Sequence, residues 1–261
     1  MSNDTVGKTL GVAAALCIVC SILVSTSAVQ LKPKQTENKK LDIKKNLLLA
    51  AKLIDSPKAT KAEILKAYEK VDAKIVNLTT GEEVPEMDPE KFDAKKASKD
   101  PGMSVRISGD KDVARIKTRA KYAKVYYVKG DTGAVDMIVL PVYGKGLWST
   151  LYGFLALAPD TKTIRGLGFY EHGETPGLGG EVDNPNWKEK WVNKLATDAN
   201  YQPVITVVKG EAPSGAQSKI DGLSGATLTS NGVTNLVQYW LGQDGFGPFL
   251  AKVRAQGGES L

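Results

Sequence analysis

The sequence predicts an α+β protein in which an N-terminal transmembrane helix and a helical segment precede a largely antiparallel sheet with flanking helices. Three observations support this prediction. A segment of 23 uncharged residues, Thr9 to Leu31, lies near the N-terminus. Segments rich in Val, Ile and Tyr, separated by turn residues, follow one another between residues 123 and 170. Apolar residues at helical spacing begin at Val233.

The charge of the chain is concentrated beside the uncharged segment. The formal net charge is +6, and the stretch from Lys32 to Lys74 contains twelve lysines, no arginine and six acidic residues. Such a stretch is either a solvated helical face or a surface that contacts anionic lipid headgroups. Because no basic patch with interleaved aromatic residues is present, no nucleic-acid partner is predicted.

The uncharged segment predicts a single-pass membrane anchor. Its 23 residues are enough for one transmembrane helix, which needs about 20. A cleaved signal peptide is the competing interpretation, because Ser27-Ala28-Val29 offers small residues at a cleavage position. The apolar run exceeds the roughly 7–15 residues of a signal-peptide core, which favours a retained anchor. Residues 1–8 are then an N-terminal tail, and residues 9–31 the transmembrane helix.

Cysteine and histidine usage excludes several kinds of site. Cys17 and Cys20 are the only cysteines, and both lie inside the anchor. They are either small apolar side chains or a contact with a partner helix or cofactor. His172 is the only histidine, and we expect it to be a polar loop residue. A cysteine nucleophile in the remaining chain, a His/Cys zinc site and a Ser-His-Asp triad are therefore not expected, and no catalytic or metal-binding residue is predicted.

Residues 32–120 are predicted to be a Lys-rich helical segment followed by a linker. Two helical patterns, Leu41 to Ile54 and Ile64 to Ile75, are broken near Ser56-Pro57. Thr60 and Glu63 have the spacing of a capping box before the second pattern. From residue 79 to residue 101 the chain is rich in Pro, Asp, Glu and Lys without periodicity, which indicates a loop.

Residues 121–261 are predicted to form the main domain. A helix is expected from Asn184-Pro185, with Trp187, Trp191, Val192 and Leu195 on one face. Asp131-Thr132-Gly133 predicts a hairpin turn between the first two strands. The expected strands are Ala123–Lys129, Val135–Tyr143, Thr150–Ala158, Ile164–Tyr170 and Pro203–Val208.

The stretch from Asp221 to Val233 is the candidate site. Val233, Leu236, Val237 and Trp240 form one apolar helix face, and the hydroxyl residues before it look like a cap. Thr227 is therefore expected in a turn just ahead of a helix N-terminus, where unpaired N–H groups and the helix dipole favour a phosphate. The alternative is an ordinary cap whose glycines serve the turn.

Three motifs carry a resemblance to a known family. Asp221 to Thr227 reads Asp-x-x-Ser-Gly-Ala-Thr and resembles the flavinylation motif of proteins that carry FMN as a phosphoester on a threonine. Residues 173–181 (Gly-Glu-Thr-Pro-Gly-Leu-Gly-Gly-Glu) and 144–149 (Gly-Lys-Gly-Leu-Trp-Ser) resemble two further segments of that family. With the anchor and residues 245–254, the chain is similar over nearly its whole length to the C subunit of the bacterial Na+-translocating NADH:quinone reductase. A relative of that family is the G subunit of the Rnf complex.

The resemblance implies that FMN is joined through its phosphate to Thr227, and that residues 121–261 are an FMN-binding domain. It also implies that Asp221 and Gly225 are recognised by a flavin transferase, and that backbone N–H groups of residues 177–180 bind the ring. Lys209 and Ser149 are implied at the phosphate or the ring. The full set of implied cofactor-binding residues is Leu147, Trp148, Ser149, Thr175, Leu178, Gly179, Lys209, Asp221, Leu223, Ser224, Gly225 and Thr227.

The function implied by the resemblance is electron transfer from an iron–sulfur centre to another subunit's flavin, in a complex that oxidises NADH, reduces ubiquinone and pumps sodium. The implied partners are the other membrane and peripheral subunits, the flavin transferase and the lipid bilayer. The implied location is the bacterial inner membrane, with the large domain on the periplasmic side. The lysines after the anchor argue for the opposite orientation by the positive-inside rule. The glycine loops lack a dinucleotide fingerprint, so this chain is not expected to bind NADH.

Other functions remain compatible with the sequence. The G subunit of the Rnf complex would carry the same flavin with a different electron donor. A membrane-tethered scaffold would use Ser-Gly-Ala-Thr only as a helix cap and would bind no flavin. A hydrolase with Thr227 as nucleophile lacks a visible base, and Glu171, Glu174 and Glu181 form a weak acid/base set without a partner histidine.

Overall fold

The computed structural model describes residues 5–257. The chain divides into two units, Met1–Ile43 and Lys44–Leu261. The helices are α1 Val6–Ala50, α2 Lys61–Tyr68, α3 Ala94–Ala97, α4 Pro185–Glu189, α5 Thr227–Leu241 and α6 Gly247–Ala255. The strands are β1 Val71–Asn77, β2 Ser104–Arg106, β3 Thr118–Ala120, β4 Tyr122–Lys129, β5 Val135–Lys145, β6 Thr150–Leu157, β7 Ile164–Glu171, β8 Thr206–Val207 and β9 Lys219–Ile220.

The first unit is formed by helix α1, whose last residues belong to the second unit. The helix has 45 residues and contains Pro33. It is long and apolar enough to cross a membrane, and its apolar side chains, such as Leu16 and Leu23, are exposed. The anchor prediction is consistent with this helix. The separate helix predicted from Leu41 to Ile54 is wrong, because α1 continues through Leu41 and ends at Ala50.

The second unit contains a five-stranded antiparallel sheet in the order β1-β4-β5-β6-β7. The predicted hairpin joins β4 and β5, and the four predicted strands from residue 123 to residue 170 are confirmed to within two residues. Helix α5 packs on β5. Its predicted apolar face is buried, with Val233, Leu236 and Val237 fully inaccessible and Trp240 2% exposed. The α+β prediction is therefore confirmed.

Strand β1 corrects the prediction of a second helix from Ile64 to Ile75. Helix α2 begins with the predicted capping box of Thr60 and Glu63 but ends at Tyr68. Residues 71–77 pair with β4, so that Ile75 lies opposite Lys124. Positions 64, 68, 71 and 75 fit a helical period, yet Val71, Ala73 and Ile75 also alternate as in a strand. Pairing with β4 decides between the two patterns, because it buries Ile75 to 2% exposure.

The tryptophan helix is shorter than predicted. Asn184 accepts a hydrogen bond from the backbone N–H of Asn186 (3.0 Å) and caps α4, which ends at Glu189. Trp191 is fully buried although it lies outside the helix. The helix cannot extend to Leu195 as predicted, because Asn193 has a φ of 62° and its N–H donates to the carbonyl of Ile164 (2.8 Å). Tertiary pairing has replaced the next helical turn.

Strand β8 is shorter than the predicted strand Pro203–Val208 and lies within it. It has two residues, Thr206 and Val207, and it pairs in parallel with β9. The pairing continues beyond β8, because the N–H of Val208 donates to Ile220 (2.8 Å). The segments that follow the two strands, residues 208–211 and 221–225, therefore lie side by side, and the N–H of Gly222 donates to the carbonyl of Gly210 (2.7 Å).

Candidate functional site

Thr227 is the first residue of helix α5 and is exposed. The prediction that hydroxyl side chains cap this helix is wrong: Ala226 occupies the cap position, where no side chain bonds to the helix. The loop is closed instead by Ser230, whose Oγ accepts from the N–H of Leu223 (3.0 Å). Gly225 has a φ of +70°, which favours glycine. Thr227 is therefore exposed at the start of α5, where the first N–H groups of a helix lack partners within the helix.

Thr227 lines a cleft of about 730 Å³, within the range typical of small-molecule sites. One wall is the segment after β8 and the other is the loop before α5. Lys209 is exposed on the first wall. The predicted site residues that the cleft brings together are Lys209, Asp221, Leu223, Ser224, Gly225 and Thr227.

Asp221 joins the walls of this cleft. Its carboxylate forms a salt bridge with Lys190 and accepts from the N–H of Ala212 (2.8 Å). Its carbonyl accepts from Nε1 of Trp187 (2.8 Å). The hydrogen bond from Lys190, followed by that from Ala212, lowers the pKa of Asp221 below its ordinary value. Because its carboxylate is already engaged, Asp221 supports the loop rather than offering a free anionic group.

The predicted residues of the other two motifs meet at Glu174, which is 5% exposed. Its carboxylate accepts from the backbone N–H groups of Leu147 (3.2 Å), Trp148 (3.0 Å) and Ser149 (3.1 Å). It also accepts from Oγ1 of Thr229 (2.7 Å), in the first turn of α5. The loop after β5 is thus tied to the helix that begins with Thr227.

The sequence did not indicate Glu174 and Thr229 as partners. They are 55 residues apart, and neither hydrophobic periodicity nor turn chemistry reports such a contact. The glycine-rich surroundings of Glu174 were the only signal, because a loop that packs closely has room for a buried acceptor. Gly179 shows this packing: a Cβ there would lie 2.6 Å from Oγ1 of Thr229 and 2.9 Å from Oε2 of Glu174.

Ser149 forms hydrogen bonds with other residues of the protein. Its N–H and its Oγ (3.4 Å) both donate to Glu174. Its Oγ also accepts from the N–H of Gly173 (2.6 Å). These bonds use the one donor and one of the two acceptor positions of its hydroxyl, so the expected role of Ser149 at the phosphate or the ring stays a prediction with one acceptor position left.

The turn from Thr175 to Gly180 satisfies part of its own backbone. The carbonyl of Thr175, an exposed residue, accepts from the N–H groups of Leu178 (3.1 Å) and Gly180 (2.9 Å). Two of the N–H groups expected to bind a ring are therefore used inside the turn. Of the other two residues expected to bind the ring, Gly177 is exposed and Gly179 is buried.

Large apolar side chains are exposed on the loops around Glu174 and in the first turn of α5, although none of them lines the Thr227 cleft. Trp148 is 67%, Leu178 45% and Leu147 41% exposed. Leu228, which the sequence did not single out, is 61% exposed. A Cβ on Gly225 would lie 2.8 Å from Cδ2 of Leu178, so this leucine reaches the Thr227 loop. By contrast, Leu223 is only 6% exposed and lies in the wall of the cleft.

The nearby acidic residues are each bonded to another group of the protein. Glu171 pairs with Lys95 (2.7 Å), and Glu181 accepts from Nδ2 of Asn184 (2.8 Å). His172 places Nε2 2.8 Å from Oδ2 of Asp183, and its Nδ1 accepts from the backbone N–H of Glu174 (3.2 Å). Among residues 5–257, no cluster of His, Cys, Asp and Glu suitable for a metal ion is found.

Proteins of a known family are similar to this chain in sequence. The family described as "FMN-binding domain" matches residues 146–242, which include residues of all three motifs. The chain is 46% identical to the C subunit of the Na(+)-translocating NADH-quinone reductase of Yersinia pestis, covering 97% of this chain and 95% of the relative. It is 48% identical to that of Pasteurella multocida, covering 97% and 96%.

Solved structures give the same result. The crystal structure of Shewanella oneidensis NqrC matches with a TM-score of 0.78 and 35% identity, over 84% of this chain and 99% of that one. The crystal structure of the corresponding protein from Parabacteroides distasonis matches with a TM-score of 0.64 and 25% identity, over 82% and 94%. The chain therefore belongs to the NqrC family, the C subunits of the Na(+)-translocating NADH-quinone reductase.

Proposed function

We propose that this chain is a membrane-anchored flavoprotein subunit whose FMN is joined through its phosphate to Oγ1 of Thr227. The observation that carries the proposal is the position of Thr227: it is exposed, it begins α5, and it lines the 730 Å³ cleft. The start of a helix favours a phosphate through its N–H groups and its dipole. A phosphoester on Thr227 would place the phosphate at that position.

Residues of the cleft and of the loops tied to α5 by Glu174 suit the other parts of FMN. Lys209 adds a positive charge on the facing wall of the cleft. The exposed apolar side chains of Leu147, Trp148 and Leu178 suit a planar aromatic ring. Bound FMN supplies the redox chemistry, and the protein supplies position and electrostatics. We assign the N–H of Gly177, an exposed residue next to Leu178, to the polar edge of the ring.

Attachment requires a second protein. An unassisted threonine hydroxyl is a poor nucleophile. We infer that a flavin transferase activates Oγ1 of Thr227, which forms a bond to the FMN phosphorus of FAD. The pyrophosphate bond then breaks, AMP leaves, and the hydroxyl proton is released. Asp221 holds the loop in shape, and Gly225 allows its turn, so both are recognition elements rather than catalysts.

We further infer the role of the chain in a larger assembly. Helix α1 anchors it in the bacterial inner membrane, with residues 44–261 on the periplasmic side. The chain then transfers electrons between an iron–sulfur centre and another subunit's flavin, and the whole complex couples NADH oxidation and ubiquinone reduction to sodium transport. The names of the relatives support this assignment over the Rnf G subunit.

The test is co-expression of the full chain with a flavin transferase. We expect the intact mass of the wild type to increase by one FMN minus water, with flavin fluorescence that survives denaturing electrophoresis. Thr227→Val should show neither signal. Thr132→Val, in the exposed hairpin turn, is the matched control and should be loaded like the wild type. A colourless wild type beside a labelled control substrate would instead support the tethered scaffold.

A further inference from the structure

Glu174 is a buried carboxylate on which three separate segments of the chain converge. One oxygen, Oε1, accepts from the N–H groups of Trp148 and Ser149 at 3.0 and 3.1 Å and from Oγ of Ser149 at 3.4 Å. The other, Oε2, accepts from the N–H of Leu147 at 3.2 Å and from Oγ1 of Thr229 at 2.7 Å. The loop after β5, the Glu174 loop and helix α5 therefore share one acceptor group.

This arrangement requires the ionised form of the carboxyl. Burial disfavours the charge, but the hydrogen bonds from Thr229 and from the backbone of residues 147–149 outweigh burial and lower the pKa of Glu174 below its ordinary value. The donors are neutral groups, four of them N–H or O–H groups at 3.2 Å or less. A buried charge held by neutral donors fixes their positions, because each lost bond leaves a polar group unsatisfied.

The hydrogen bonds of Glu174 connect two different parts of the site. Trp148 and Leu147 belong to the exposed apolar surface, whereas Thr229 lies on the same helical turn as Thr227. Gly179 leaves no room for rearrangement, because even a methyl group there would collide with Thr229 and Glu174. The carboxylate of Glu174 thus links the loop of Leu147 and Trp148 to the helical turn that contains Thr227.

We propose that Glu174 is the positioning residue of the flavin site: its carboxylate holds the loop of residues 147–149 against the first turn of α5, so that the ring attached at Thr227 keeps one orientation. The proposal rests on the attachment proposed above. It separates attachment of the flavin from orientation of its ring. The loop of residues 221–227, where attachment occurs, is held by other bonds: those of Asp221 with Lys190 and Ala212, and that of Leu223 with Ser230. Loss of the Glu174 bonds should therefore loosen the ring without preventing attachment.

The experiment compares Glu174→Gln, Thr229→Val and Thr229→Ser in the full chain, co-expressed with the transferase. Glutamine has the shape of glutamate, but its amide nitrogen cannot accept a hydrogen bond. Thr229→Val removes only the hydroxyl, and Thr229→Ser restores it. The matched control is Glu181→Gln, the same change in the same loop at a residue whose carboxylate bonds to Asn184 rather than to the 147–149 loop or α5.

Three quantities are measured: the intact mass, the visible circular dichroism and fluorescence yield of the bound flavin, and its reduction midpoint potential. We expect all variants to be loaded. Glu174→Gln and Thr229→Val should lose visible dichroism, gain fluorescence because the ring moves away from Trp148, and shift the potential. Thr229→Ser and Glu181→Gln should match the wild type in all three.

Each other outcome overturns a defined statement. An unloaded wild type contradicts the attachment and the positioning role together. A loaded Glu174→Gln with the dichroism, fluorescence and potential of the wild type contradicts the positioning role alone. A folded but unloaded Glu174→Gln also contradicts it, because the residue would then act in attachment. If Glu174→Gln does not yield folded protein, the comparison of Thr229→Val with Thr229→Ser decides by the same readouts.

Discussion

Two threonines in the first turn of α5 differ in burial, and the difference separates their roles. Thr227 is exposed in the cleft, whereas Thr229 is fully buried and donates to Glu174. A hydroxyl that must meet a transferase has to be accessible, and a hydroxyl that holds a loop has to be enclosed. On the attachment proposed above, the same residue type serves as attachment point and as structural donor within three positions of one helix.

The carboxylate of Asp221 gives a pH-dependent prediction at the same scale. Its pKa is lowered by Lys190 and by the N–H of Ala212, so its contribution to stability is present above the ordinary value of 3.8 and is lost as the pH falls through the folded-state pKa. We expect Asp221→Asn to be less stable than the wild type at pH 7. The stability difference should shrink as the pH falls below 3.8.

Urea denaturation at a series of pH values measures this difference. Asp110→Asn, an exposed position, is the control and should follow the wild type at every pH. A stability deficit of Asp221→Asn that stayed constant down to the acid limit would show that the charge of Asp221 is not what the loop uses.

The residues of the site differ in how far the sequence could reveal them. Thr227 and its neighbours form a short motif, so local sequence was sufficient to single them out. Leu228 was missed because an exposed leucine in a helix has no distinctive pattern. Glu174 was seen only as a weak acid/base candidate, because its role depends on donors brought from residues 147–149 and from Thr229 by the fold.

At the scale of elements, the edge strand β1 of the sheet has a sequence pattern that also fits a helix. Residues from Ile64 to Ile75 fit a helical repeat, and only pairing with β4 shows that the last part is β1. The short α4 has the same cause, because the N–H of Asn193 bonds to Ile164 instead of continuing the helix. Local patterns identified the long strands and α5 correctly, since no tertiary pairing competes with their periodicity.

Substitution of Ile75 tests the position of β1. Ile75 is 2% exposed, so Ile75→Ala should lower the free energy of unfolding by about 2–5 kcal/mol. Leu65, on α2, is 44% exposed, and Leu65→Ala is expected to cost less than about 1 kcal/mol. Equal and small effects of the two substitutions, measured by chemical denaturation, would contradict the burial of β1 in the sheet.

At the scale of the whole molecule, two arguments disagree about the side of the membrane on which residues 44–261 lie. The lysines that follow the anchor favour the cytoplasm by the positive-inside rule, whereas the family resemblance implies the periplasm. We expect the periplasm, because the rule is statistical and the resemblance implies a flavin transferase that acts outside the cytoplasmic membrane. Covalent attachment also suits an exported domain, since a flavin lost there could not be recovered.

Reporter fusions at the C-terminus of the full chain measure the orientation. A reporter that is active only outside the cytoplasm should be active, and one that is active only in the cytoplasm should be silent. Both fusions must be present in the membrane fraction in equal amounts. The reverse pattern would place the domain in the cytoplasm and would remove the proposed route of flavin attachment.

The most direct test of the central claim is to locate the flavin on the chain. Trypsin cleaves after Lys219 and next after Lys252, so one peptide contains Ser224, Thr227 and Thr229. Tandem mass spectrometry of this peptide, from chain loaded by the transferase, should place one FMN minus water on Thr227. The same mass on Ser224 or Thr229, or on any other peptide, would contradict the assignment of Thr227 as the attachment residue.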